Sequence, residues 1–127
     1  MALTVTVNQS VREDYQAPLS GSVTLTVDNR IEVYETILAG AVDQLIASSW
    51  PYVNMQQMFF ISSKDVTIDL MSGTHSALQI ALEAGIPYCW VDGSGDNPLA
   101  EDVDEIYVDN AGLVAAVVQG KISWNNA

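Results

Sequence analysis

The chain of 127 residues reads as an all-β protein, an antiparallel β-sandwich or jelly roll, and three features carry that reading. Its second half breaks into short runs in which apolar and polar residues alternate, as in Val66-Thr67-Ile68-Asp69-Leu70. Successive side chains of a strand point to opposite faces of a sheet, so a half-buried strand alternates in this way. Gly, Asn, Asp and Ser clusters bound each run, as turns require. No clear helical period separates the runs, and many short strands without helices between them pack as two layers or a jelly roll.

Taken in order, Leu3, Val5 and Val7 share one face of a first strand. The polar stretch 8–22, with Pro18 and Gly21, follows as a loop or arm. Val23, Leu25 and Val27 then alternate with Thr24 and Thr26, and Asp28-Asn29 reads as a two-residue turn into Ile31, Val33 and Glu35, which makes a hairpin. Between residues 31 and 49 a short helix is an alternative, because Ile31, Tyr34, Leu38, Val42, Leu45 and Ile46 also fit helical spacing. Ala39-Gly40 in the middle favours a turn between two short strands instead.

Beyond Trp50-Pro51 the expected strands are Met58 to Ser62, Asp65 to Met71, Ala77 to Leu82, Pro87 to Val91, Asp104 to Val108 and Leu113 to Val118. Alternate side chains of two packed sheets meet between them, so Val66, Ile68, Leu70, Leu78, Ile80, Leu82, Ile106 and Val108 are the expected core.

Residues 1–127 are expected to form one domain, since 49% of them are hydrophobic and a chain of this size buries a core without staples. Sixteen acidic residues against four basic ones give a formal net charge of -12. That balance repels phosphates and anionic headgroups, which argues against direct nucleic-acid or membrane binding. The single cysteine, Cys89, excludes an internal disulfide and sits in the apolar run 86–91, where a thiol packs as a small hydrophobe. Met1 to Val7 carries no basic region ahead of an apolar segment, so synthesis and folding in a cytoplasm are expected.

Several motifs of the second half resemble a loose group of small virion proteins of tailed bacteriophages. They are Ser63 with Asp65-Val66-Thr67-Ile68, Leu82 with Gly85-Ile86-Pro87, Trp90, Asn97-Pro98-Leu99, Asp102-Val103, and Tyr107-Val108-Asp109-Asn110-Ala111-Gly112. The resemblance runs from about Met58 to the C-terminus and departs at Asp109, where a small hydroxyl residue is expected; it does not extend over Met1 to Ser49. It implies a non-enzymatic structural protein of the virion, made in the host bacterial cytoplasm. Its expected role is a capsid decoration or cement protein attached to the major capsid protein or another virion protein, and a homo-oligomer. A neck or tail component is the alternative within the same class.

Such attachment needs an aromatic or apolar patch, or an arm that orders on docking. The candidates are Tyr15 and Leu19 on the arm, and Trp50 and Tyr52, because Trp and Tyr bury much area at low entropic cost. The competing reading is that Trp50 and Tyr52 cover one end of the sandwich.

Sharper chemistry finds less support. Seven of the sixteen carboxylates fall between Asp92 and Asp109, and Asp92, Ser94 and Asp96 begin like a calcium loop. Asn97 then stands where glycine belongs and Val103 where the bidentate glutamate belongs, so a solvated acidic loop is the better reading, and no metal or cofactor is expected. His75 lies in the turn Ser72-Gly73-Thr74-His75-Ser76, where a hydroxyl nucleophile and an imidazole base could meet, but a polar turn explains the same residues. A carbohydrate-binding module is the alternative outside the virion class, with Trp50, Tyr52, Tyr88, Trp90 and Trp124 as stacking platforms, although Tyr88 and Trp90 share an apolar strand face.

Overall fold

The computed structural model describes residues 3–11, 19–46 and 48–126. Ten strands follow one another: β1 (Leu3–Val11), β2 (Leu19–Val27), β3 (Asn29–Ile37), β4 (Gln44–Ile46), β5 (Met55–Ser62), β6 (Val66–Ser72), β7 (His75–Leu82), β8 (Tyr88–Val91), β9 (Glu105–Asp109) and β10 (Ala116–Trp124). No helix occurs among the described residues, so no helix there is long and apolar enough to cross a membrane.

Two antiparallel four-stranded sheets, ordered β3-β10-β5-β8 and β4-β9-β6-β7, form the sandwich. The first sheet turns Val33, Ile37, Met58, Phe60, Trp90, Ala116, Val118 and Ile122 inward, and the second answers with Ile46, Val66, Ile68, Leu70, Ile80, Leu82, Ile106 and Val108. These are the period-2 positions, and burying a side chain of this kind contributes about 1.5–3 kcal/mol. All of the expected core is there; Leu78 alone is only partly buried, next to the ladder irregularity of the edge strand. Gly120 holds a place in the middle of β10 where the Phe60 ring fills the space a side chain would need.

Alternate strands run in opposite senses, so the connections gather at two poles. One pole holds the loops 38–43, 63–65, 83–87 and 110–115. The other holds 48–54, 73–74 and the long acidic connection 92–104. There Trp50, Leu99 and Val103 plug the end of the core, with Trp50 and Val103 exchanging both backbone N–H···O bonds at 3.0 Å.

The first half departs from the expectations in three ways. β2 pairs with β1 along its whole length, Leu3 opposite Val27 and Val11 opposite Leu19, so the ladder extends into what reads as a loop at 8–22. β3 pairs with β10 rather than with β2. A tight two-residue hairpin at Asp28-Asn29 needs positive φ, and neither residue has it, so the chain bends there instead of reversing. Between residues 31 and 49 the expected turn between two strands holds: among the described residues there is no helix, β3 ends at Ile37, Gly40 turns the chain at φ +72° and β4 follows. The last strand begins at Ala116 rather than Leu113 and runs on to Trp124.

The β1–β2 hairpin forms a sheet of its own. Thr4 to Asn8 of β1 line a groove of about 400 Å³ together with Arg30, Gln57, Phe59 and Lys121, which places the hairpin over the outer face of the first sheet. Gln57 and Ser123 are buried although their neighbours Met58 and Ile122 take the inward positions, and the Ser123 hydroxyl donates to Gln57 Oε1 at 3.3 Å.

Candidate functional site

The pole formed by loops 38–43 and 110–115 is built around one buried amide. Asn110 is fully buried; its Nδ2 donates to Ile37 O at 3.3 Å and to Val114 O at 3.0 Å, and its Oδ1 accepts from Gly112 N at 3.1 Å. Backbone bonds Asn110 N to Ala41 O (2.9 Å) and Gly40 N to Gly112 O (3.1 Å) tie the two loops to each other. Asp43 takes positive φ, and its N–H is held by Asp109 Oδ1. Asp109 therefore uses its carboxylate to fasten the turn at Asp43. Gln44 closes the base, accepting from Leu38 N and donating to Thr36 O.

What this scaffold presents is apolar. Leu38 is 66% exposed, Val42 80%, Leu113 97% and Val114 59%. Neither Leu38-Ala39-Gly40-Ala41-Val42 nor Asn110-Ala111-Gly112-Leu113-Val114-Ala115 carries a charge. Ile86 is exposed at the same pole, beyond the Ser63-Lys64-Asp65 turn. Scattered exposed hydrophobes are ordinary, whereas a cluster held rigidly on adjoining loops marks a surface that gains by being covered. The sequence signal was a repeated Ala-Gly-x-Val, at 39–42 and 111–114. Apolar residues after a glycine read equally well as the start of a strand, as Leu113 does.

The residues singled out from sequence lie elsewhere. Trp50 is 2% exposed and plugs the opposite pole. Its indole Nε1 is buried without a hydrogen-bond partner among the described residues. Tyr52 is half-buried against the core, its N–H bonded to Asp102 Oδ1 at 3.1 Å. Leu19 opens β2 opposite Val11; its side chain, and Tyr15 altogether, fall outside the described residues.

The acidic stretch serves its own turns. Ser94 Oγ donates to Val91 O at 2.6 Å and accepts from Val91 N, which spends the middle ligand of the calcium-like Asp92-Ser94-Asp96 series. Among the described residues no three His, Cys, Asp or Glu side chains converge as a metal site. Asp28, Asp65, Asp102, Asp104 and Asp109 each accept a backbone N–H from a segment distant in sequence, that of Asn126, Ala84, Tyr52, Gly73 and Asp43 respectively. His75 Nε2 meets the Glu101 carboxylate at 2.7 Å, while Ser76 Oγ donates to Asp69, so the two are directed to different partners rather than to each other.

Two phenols are perturbed. Burial, and then charge on neighbouring Cys89, holds the Tyr88 hydroxyl above its ordinary pKa of 10.0. Tyr107 is raised chiefly by donating a hydrogen bond to Glu105 Oε2 at 2.9 Å. In the groove beneath β1, Arg30 and Lys121 both reach the one Glu32 carboxylate, at 3.5 and 4.0 Å.

Comparison with protein-family models, curated proteins and solved structures finds no match.

Proposed function

We propose that this chain is a non-enzymatic structural protein of a tailed-phage particle, a decoration or cement protein that fastens to the major capsid protein through its apolar pole. The observation that carries the reading is the contrast between that pole and the rest of the surface. Leu38, Val42, Leu113 and Val114 stand exposed on two mutually hydrogen-bonded loops, uncharged over 38–42 and 110–115, of a protein whose net charge is -12. Acidic side chains keep such a molecule soluble and apart from other acidic surfaces, and a rigid apolar end gives it one place to adhere. A preorganised patch loses little entropy on docking. The motif resemblance between Ser63 and Gly112 supplies the particle.

The sugar-binding alternative is weakened by the burial of Trp50 and Trp90, which leaves Tyr34 as the one exposed aromatic side chain among the described residues.

Particles assembled with the wild-type chain and with a Leu38→Asp, Leu113→Asp double variant test the proposal. Wild-type chain should co-sediment with particles after washing; the variant should melt at the same temperature yet stay in the supernatant. Absence of the wild-type chain from purified particles, or equal retention of the variant, would overturn it. Cross-links from Lys64, at the rim of the pole, to a tail rather than a capsid protein would move the role to the tail.

A further inference from the structure

Each four-stranded sheet ends in two strands whose outer backbone groups have no strand beside them among the described residues, and three of these four edges are guarded. β3 carries Arg30, Glu32 and Glu35, while β4 has only three residues and β8 four. Charge on an edge and shortness are the usual protections against strand addition. β7 has neither: it runs eight residues, His-Ser-Ala-Leu-Gln-Ile-Ala-Leu, with His75 at its outset as the only ionisable side chain. A sheet edge offers a row of N–H and C=O groups, and the partner that satisfies them is another extended backbone.

We infer that β7 pairs antiparallel with β7 of a second copy across a two-fold axis, joining two four-stranded sheets into one of eight strands. Register and side chains argue for the second copy as occupant. Leu78 pairs with Leu70 and Ser76 with Met71, so Ala77 is a bulge and the regular stretch of the edge is Leu78-Gln79-Ile80-Ala81-Leu82. That pentad is palindromic in character about Ile80. Centred there, Ile80 faces Ile80 of the second copy, Leu78 faces Leu82, and Gln79 faces Ala81. Ile80 and Leu82 are buried and Leu78 packs against the core, so the three apolar pairs extend one core face into the next, and the exposed Gln79 and Ala81 pair on the outside. A two-fold contact requires this kind of self-complementarity.

Charge permits the register. Glu83 of one copy falls opposite Ala77 of the other, which sets the two Glu83 side chains about 20 Å apart at roughly 3.4 Å per residue, beyond the Debye length of about 8 Å at physiological salt. The β1–β2 ribbon is also uncharged in its described strands, but a two-stranded ribbon is a softer template than the edge of a packed sandwich. Because β7 runs from the acidic pole to the apolar one, antiparallel pairing points the two apolar poles in opposite directions, and the dimer becomes a two-ended connector.

Sedimentation of the full chain at about 100 µM should give a species near twice the 13.7 kDa monomer mass. Gln79→Glu with Ala81→Glu places carboxylates opposite each other twice and should give monomers that melt where the wild type does once diluted to monomer; Gln79→Lys with Ala81→Lys should do the same. Mixing the two variants one to one should restore the dimer. Leu113→Asp, at the pole, should leave it intact, which keeps this outcome separate from that of capsid docking. A monomeric wild type, a glutamate variant that still dimerises, or a mixture that stays monomeric would each overturn the inference.

Discussion

Gly120 shows how much a single position can demand. A Cβ placed there would stand 2.7 Å from Phe60 Cδ1, inside the closest approach carbon atoms allow, and Phe60 is fully buried with no room to retreat. Gly120→Ala therefore overpacks the core, and chemical denaturation should show a loss of about 1–3 kcal/mol. Glycine is normally a poor choice within a strand, and here the ring across the ladder explains it. Tyr88 makes a second prediction at this scale. Its phenol is held above 10.0 in the folded chain, so below that pH folded and unfolded chains both keep the proton and stability does not depend on it. As pH rises past 10.0 the unfolded chain ionises first, and stability falls until the folded phenol ionises as well. Melts of Tyr88→Phe between pH 9 and 12 should decline less steeply than those of the wild type, with Tyr107 contributing part of the remaining slope.

Pairs of elements depend on polar staples that no strand pattern announces. Loops 38–43 and 110–115 belong to different β connections, and Asn110 joins them by donating to Ile37 O and Val114 O. Asn110→Ala removes these and the bond to Gly112 N, three bonds worth roughly 1 kcal/mol each, so a loss of about 3 kcal/mol is expected in denaturant titrations. Amide exchange should quicken at Gly40 and Gly112 before it does in β6. The turn at Asp28 carries the same lesson in reverse. An alternating strand, two polar residues and another alternating strand look like a hairpin, yet without positive φ at Asp28 or Asn29 the strands separate, one to β1 and the other to β10.

Over the whole molecule the charge is lopsided, sixteen acids to four bases. Five of the aspartates hold turns through backbone N–H groups, so the acidity is partly architectural, but the net repulsion remains. Self-repulsion of that size opposes compactness and is screened as the Debye length falls from about 30 Å at 0.01 M salt to about 8 Å at 0.15 M. The melting temperature should rise over that range; a fall would mean that the few ion pairs outweigh the repulsion. Acidity also leaves the uncharged segments 38–42 and 110–115 and the β7 edge, which carries no acidic residue, as the surfaces best suited to contact.

The sequence by itself determined the all-β class, five of the six strands after Trp50 to within about three residues, and the eight residues of the expected core. Those properties are local: alternation in a strand follows from the backbone's own geometry, and a turn from the residues within it. Which strands pair, and which apolar residues are left uncovered, the tertiary structure alone decided. β2 stayed with the preceding β1 while β3 found its partner, β10, far along the chain, and Trp50 went under the loops while Leu38, Val42, Leu113 and Val114 stayed out. Burial is a relation between distant segments, so a leucine after a glycine has the same local signature whether it enters the core or crowns a loop.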